Sequence, residues 1–160
     1  LQDAATLEDF AEHTGQAPHL YVWEINYFPE RSQHLLTLPE CQSLINLIWV
    51  DQLHLQGDPP VVHDGRGSRC ARTFESRIYL PRWARNPMVV IHELAHCVTD
   101  LFDSDDSQAH GPRYMKVYLS LWAINSSYKY PALRKHANRN GLRVSPIDMM
   151  KKLKGFQRWN

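Results

Sequence analysis

Apolar and polar positions along the chain follow two periods, and together they mark out a short series of elements. The run Leu20-Tyr21-Val22-Trp23-Glu24-Ile25-Asn26-Tyr27-Phe28 is dense in β-branched and aromatic residues, which predicts a strand. Before it, residues 1–16 carry a brief helical pattern (Ala4, Leu7, Phe10, Ala11) that ends at Gly15. A polar turn at 29–34 leads to Thr37, placed as the N-cap of a helix with Pro39 and Glu40 in its first turn. Leu44, Ile45, Leu47, Ile48, Leu53 and Leu55 continue its apolar pattern, with Trp49 read as core, until Gly57-Asp58-Pro59-Pro60 stops it. Val61-Val62 is a short strand, and 63–68 is turn chemistry. Residues 69–74 and 77–80 read as two strands joined tightly around Glu75-Ser76. Pro81 cannot donate to a ladder, which predicts that 77–80 is an edge strand.

The next element changes period. Asn86-Pro87 is a cap-plus-proline helix start, and Ile91, Leu94, Ala95, Val98, Leu101 and Phe102 follow at helical spacing as its core face. His92 and His96 lie on a different face of the same helix. An acidic loop, Asp103-Ser104-Asp105-Asp106-Ser107, ends it. Pro112 opens a further helix with Tyr114, Met115, Val117, Tyr118, Leu121, Trp122 and Ile124 as its apolar residues. Residues 131–140 look helical and stop at Gly141, and Ser145-Pro146 starts a last short helix over 149–154. The fold class expected from this order is α+β, with a small sheet and mostly helical second half.

The chemistry sits where the helix carries His92-Glu93-Leu94-Ala95-His96. Residues four apart lie one above the other on a helix, so two imidazoles can meet one Zn²⁺, with Glu93 beside them as a general base. The third ligand is reached by elimination. No Glu follows Glu93, and Thr99 and Phe102 stand where an HExxHxxGxxH site needs Gly and His. His110 remains, at the head of the next helix, with Asp103, Asp105 or Asp106 as fallbacks. Three imidazoles and a water make an open, catalytic site for one Zn²⁺. Arg113 and Tyr114, just after His110, are candidate donors to a developing oxyanion, with packing the favoured reading for Tyr114. Asp100, one turn beyond His96, is a candidate to orient a ligand or else a solvated residue. Histidines 13, 19, 34, 54, 63 and 136 lack partner spacing and read as surface or core.

Composition adds constraints. A chain of 160 residues can bury a core without staples, and no stretch approaches 18 apolar residues, so no membrane span is expected. Cys41, Cys70 and Cys97 are three and widely spaced, which argues against a disulfide framework and for a reducing, cytoplasmic compartment. The start of the chain lacks the basic-then-apolar order of a signal peptide. Cys97, beside His96, points about 100° away round the helix and reads as a small buried residue. The net charge of +1 hides a split: residues 1–128 carry nine Lys/Arg against sixteen Asp/Glu, and 129–160 carry nine Lys/Arg against Asp148 alone. This predicts an acidic body and a basic helical extension. In the extension Lys135, Arg139, Arg143, Lys151, Lys152 and Lys154, interleaved with aromatic residues, are candidate nucleic-acid contacts; the bland alternative is a solvated appendage or docking on the acidic half.

Ser68-Arg69-Cys70-Ala71-Arg72, Arg77-Ile78-Tyr79-Leu80, His92-Glu93-Leu94-Ala95-His96 and His110-Gly111-Pro112-Arg113-Tyr114 together resemble the SprT-like (Spartan) zinc metalloprotease domain. The likeness covers about residues 60–122 and is closest to small bacterial and phage metallohydrolases with that core. It implies a zincin-like fold over 1–128, His92, His96 and His110 as zinc ligands, Glu93 as base, and an edge strand near 77–80 for an extended peptide. It also implies a protein or peptide substrate, with proteins on nucleic acid as one class. Two features depart from the family: Arg113 stands where Glu is frequent, and the cysteine-poor extension cannot form a C-terminal zinc ribbon.

Overall fold

The computed structural model describes residues 16–27, 35–102, 109–147 and 150–151. Within them the chain is α+β, with five α-helices and one three-stranded mixed sheet. The 1–15 helical pattern, the 29–34 turn, Asp103, Asp105, Asp106, Lys152, Lys154 and most of the expected final helix lie outside the described residues.

The first element corrects the sequence reading. Residues 20–27 are not a strand but belong to helix α1, Ala17–Tyr27. Leu20, Trp23 and Glu24 are buried and Tyr27 half-buried, at i, i+3, i+4 and i+7, whereas Val22 faces solvent. One-sided burial at helical period outweighs the modest β-preference of Val and the aromatics, since tertiary packing routinely overrides propensity.

Helix α2, Leu38–Asn46, starts where the sequence places it. Thr37 accepts from the Glu40 amide and the Glu40 side chain accepts from the Thr37 amide, closing a capping box. Past Asn46 the helix widens into a π-turn, Leu47–Gln52, which keeps Ile48 and Trp49 buried.

The sheet order is β1-β3-β2, with β1 Val61–Asp64, β2 Arg72–Phe74 and β3 Arg77–Leu80. β1 pairs parallel to β3, and β2 pairs antiparallel to it. Thus β3 is the central strand, not an edge. The last paired residue is Leu80, opposite Asp64, so Pro81 lies beyond the ladder and its missing N–H is not called on. Ile78 and Leu80 are fully buried, as a central strand requires. The β2–β3 turn puts Glu75 (φ 45°) and Ser76 (φ 59°) in the left-handed region, the geometry that matches strand twist in two-residue hairpins. Between β1 and β2 the chain crosses the end of β3. There the Gly65 amide donates to the Leu80 carbonyl at 3.0 Å, and any Cβ on Gly65 would stand 2.6 Å from the Pro81 nitrogen.

Helix α3, Pro87–Asp100, follows a short 3₁₀ turn at Arg82–Ala84 and is capped by Asn86, whose Oδ1 accepts from the Val89 amide at 3.0 Å. It is buried nearly all round, between the sheet, α2 and helix α4, Pro112–Asn125. Leu101, expected on its core face, is exposed, because the helix ends at Asp100 and the chain turns away. Helix α5, Tyr130–Arg139, begins the basic extension and packs on α4. Leu133, Ala137 and Leu142 join the same hydrophobic cluster as α1 to α4. Trp23 Nε1 donates to His136 Nδ1 at 2.7 Å, and Gln16 makes two hydrogen bonds with the Arg143 backbone, so α1 is clamped against the extension. No helix among the described residues is long and apolar enough to cross a membrane.

Candidate metal centre

The structure brings His92, His96 and His110 together, with ligand atoms from all three within 4.8 Å of one another. Two come from consecutive turns of α3 and the third from the turn before α4, so the packing of α3 on α4 builds the cluster. His92 Nε2 and His110 Nε2 are 3.1 Å apart. Tetrahedral ligation at bond lengths of about 2.0–2.1 Å places two nitrogens roughly 3.3–3.4 Å apart, so the spacing needs only a small adjustment to grip an ion. Burial pulls His96 well below its ordinary value, aided by its two neighbouring histidines. Burial likewise takes His110 down to about 3, with His92 adding to the effect. Both rings are therefore neutral at physiological pH and have lone pairs to offer. His110 Nδ1 is buried with no hydrogen-bond partner among the described residues. This donor set fits a metal ion.

His92 behaves differently. Burial works to lower it, but the Glu24 carboxylate, through charge and a 2.6 Å contact from Oε1 to Nδ1, outweighs that and leaves it raised. Glu24 is buried on the inner face of α1. Three residues earlier on that helix, Tyr21 stacks on the His92 ring with centroids 5.7 Å apart, and meets His110 edge-on at 5.8 Å.

Glu93 is buried next to the triad. Thr73 of β2 donates to its Oε2 at 2.6 Å, and the same hydroxyl lies 3.2 Å from the Glu93 carbonyl. Burial raises the Glu93 carboxyl, against the opposing pull of His92 and Thr73. Glu93 is thus tied to β2, which among the described residues pairs with β3 alone.

The remaining sequence candidates are placed as follows. Tyr114 is fully buried and its hydroxyl donates to the His92 carbonyl at 3.1 Å, which commits it to packing beneath the cluster. Arg113 is exposed in the first turn of α4. Asp100 is exposed at the end of α3 and makes no hydrogen bond to a histidine among the described residues; the carboxylate behind a ligand is Glu24 instead. Cys97 is buried, and burial pushes its thiol up to about 12, an inert core residue. His136 is a partner of Trp23 and of the Tyr27 ring, 3.9 Å away, rather than a ligand.

Sequence reasoning missed Glu24, Tyr21 and Thr73. For Glu24 the signal was present: a charged residue on the apolar i, i+3, i+4, i+7 face of 20–27 is unsatisfied unless something basic meets it. Thr73 had no such signal, since its neighbour is set by sheet order alone.

On the basic extension, Tyr130, Pro131, Arg134, Lys135, Asn138 and Arg139 line a shallow groove of about 510 Å³ along α5. Lys116 of α4 sits 4.1 Å above the Tyr130 ring at its edge. Arg134, Lys135 and Arg139 are exposed and form no ion pair among the described residues. Arg143 and Lys151 are also exposed.

Comparison with protein-family models, curated proteins and solved structures finds no match to this chain. The functional reading therefore rests on the site.

Proposed function

We propose that this chain is a zinc-dependent metallopeptidase of SprT-like, zincin-like type. The observation that carries the reading is the join of two parts: three convergent histidines, and Glu93 tied by Thr73 to β2. A purely structural three-histidine site has no use for a buried base beside it. A Zn²⁺ held by His92, His96 and His110 supplies Lewis acidity, lowering the pKa of a water toward ~7 and polarising the scissile carbonyl.

The chain's own residues do the rest. An extended peptide adds to β2 by main-chain hydrogen bonds, which brings its carbonyl over the cluster. Glu93 takes a proton from the attacking water at a carboxylate oxygen as the new C–O bond forms, then delivers it to the amine nitrogen as the peptide C–N bond breaks. The Thr73 hydroxyl keeps one oxygen oriented while the other is left for water.

The groove on α5 supports a class of substrate: proteins carried on nucleic acid, whose phosphates would meet Arg134, Lys135 and Arg139. The alternatives share the metal: a zinc hydrolase of small amides or peptide modifications, or a zinc-stabilised nucleic-acid-binding protein without activity. Metal analysis, followed by digestion of an unfolded casein with and without single-stranded DNA, separates them. The expected result is one zinc per chain and cleavage that Glu93→Gln abolishes with metal retained. Cleavage indifferent to Glu93→Gln refutes the mechanism. Bound zinc with no proteolysis under either condition turns the reading to one of the alternatives.

A further inference from the structure

We propose that Glu24 is the positioning residue of the metal centre: from α1, it fixes His92 through Nδ1 so that Nε2 is presented to the ion. The inference rests on reading the three histidines as ligands, and it extends the centre to a helix that neither the motif nor its spacing includes.

A neutral imidazole has one N–H and one lone pair, and the partner of one nitrogen decides the role of the other. A carboxylate oxygen 2.6 Å from Nδ1 accepts, so the proton is on Nδ1 and the lone pair on Nε2. That Nε2 is the atom lying 3.1 Å from His110 Nε2, inside the cluster. Of the other two rings, His110 has a buried Nδ1 with no partner among the described residues. His92 is thus the ring that a carboxylate orients from behind. Ligand histidines held by a carboxylate in this way are more basic and better oriented.

Charge points the same way. Three neutral imidazoles bring no compensation for a dication, and a negative group at short range in a dry setting contributes strongly to holding one. Glu24 is 3% exposed, in a helix whose other described inward side chains, Leu20 and Trp23, are apolar. A buried carboxylate is costly unless paired, and replacing a whole buried ion pair by apolar residues of similar volume is often neutral or stabilising. Packing alone gives no reason for a Glu at this position. Tyr21, one helical turn before Glu24, covers the His92 and His110 rings, so the same face of α1 both orients a ligand and shields it.

The test is zinc affinity, measured by competition with a chromophoric chelator at fixed pH, alongside melting of the metal-free proteins. Glu24→Ala is expected to bind zinc about 10–100-fold more weakly than wild type. Glu24→Gln, which keeps the shape and an acceptor but loses the charge, should fall between them. Asp100→Asn should bind as wild type does. Should Glu24→Ala fail to fold, Glu24→Gln carries the comparison. In the cobalt-substituted proteins the visible bands of Glu24→Gln should shift, which a residue serving only to hold α1 in place would not cause. Wild-type affinity in both Glu24 variants overturns the proposal while leaving the three-histidine site intact. A wild-type chain that binds no zinc overturns the site and this inference together. Proteolysis is not part of the readout, so an inactive but zinc-binding chain tells against the peptidase reading alone.

Discussion

Tyr114 carries two readings in the sequence, packing and donation to an oxyanion, and its phenylalanine variant separates the two. In the sequence it stands one turn after His110, in place to donate to an oxyanion. In the structure its ring is fully buried between His96, at 4.5 Å, and Tyr118, at 5.6 Å, and its hydroxyl donates to the His92 carbonyl at 3.1 Å. Tyr114→Phe keeps the ring and both stacking contacts and removes one neutral hydrogen bond. Such a bond contributes about 0.5–1.5 kcal/mol, and here the lower half of that range applies, because the carbonyl keeps its intrahelical N–H. For a chain of this size each kcal/mol moves Tm by roughly 2–4 °C, so a fall of about 1–4 °C is expected. The rate of casein hydrolysis should stay within a few-fold of wild type. Loss of a true oxyanion donor would instead lower kcat by about 10²–10³. Circular-dichroism melting and initial rates on the same samples read both quantities. An unchanged Tm with a hundredfold slower reaction would refute the packing assignment and restore Tyr114 to the substrate side.

Three further outcomes follow from other parts of the molecule. Gly65→Ala should lower the urea midpoint by the equivalent of ~1–3 kcal/mol, since the added Cβ would meet the Pro81 nitrogen and the Leu80 carbonyl carbon, both backbone atoms; an unchanged midpoint would show that the β1–β2 crossing is laxer than described. In the metal-free protein His110 titrates near 3 when folded and near 6.5 when unfolded, so between those values the unfolded chain holds the extra proton and stability declines as pH falls. His110→Gln should remove that part of the decline, as melting curves taken from pH 7 to pH 4 would reveal; parallel curves for the two proteins would contradict it. Reversing charge at Lys135 and Arg139 should weaken single-stranded DNA binding and flatten its dependence on salt, and wild-type filter binding with no salt dependence would end the nucleic-acid reading of the groove.

What the sequence made legible was local. The Thr37 capping box, the Asn86-Pro87 start and the tight turn at Glu75-Ser76 are each decided by a few neighbouring residues, and each stands where the pattern places it. The triad was legible too, because two of its members share a helix face and elimination led to the third. Sheet order was not. Whether 77–80 is central or marginal depends on where β1 and β2 come to rest on either side of it, and Pro81 one step past the ladder misled. The strand expectation for 20–27 failed for a related reason: its composition favours a strand, but the surface available to it was a helical one, between the histidine cluster and α5. Glu24 was hidden by that error, since only on a helix does it share a face with Leu20 and Trp23.

The contacts that seat α1 also order events in time. Its three anchors are Glu24 on His92, Trp23 on His136 and Gln16 on Arg143, partners 68, 113 and 127 positions away in the chain. At roughly 5–20 residues per second of synthesis, Arg143 is made about 6–25 s after Gln16. For the first half of that interval none of the partners of α1 has yet been made, and such distant contacts are the slow ones to form. A nascent chain that already displays the whole His92–His96 motif has α1 but still lacks His136 and Arg143, which hold α1 in place. The seating of Glu24 on His92 is therefore completed only once the chain has been made as far as Arg143.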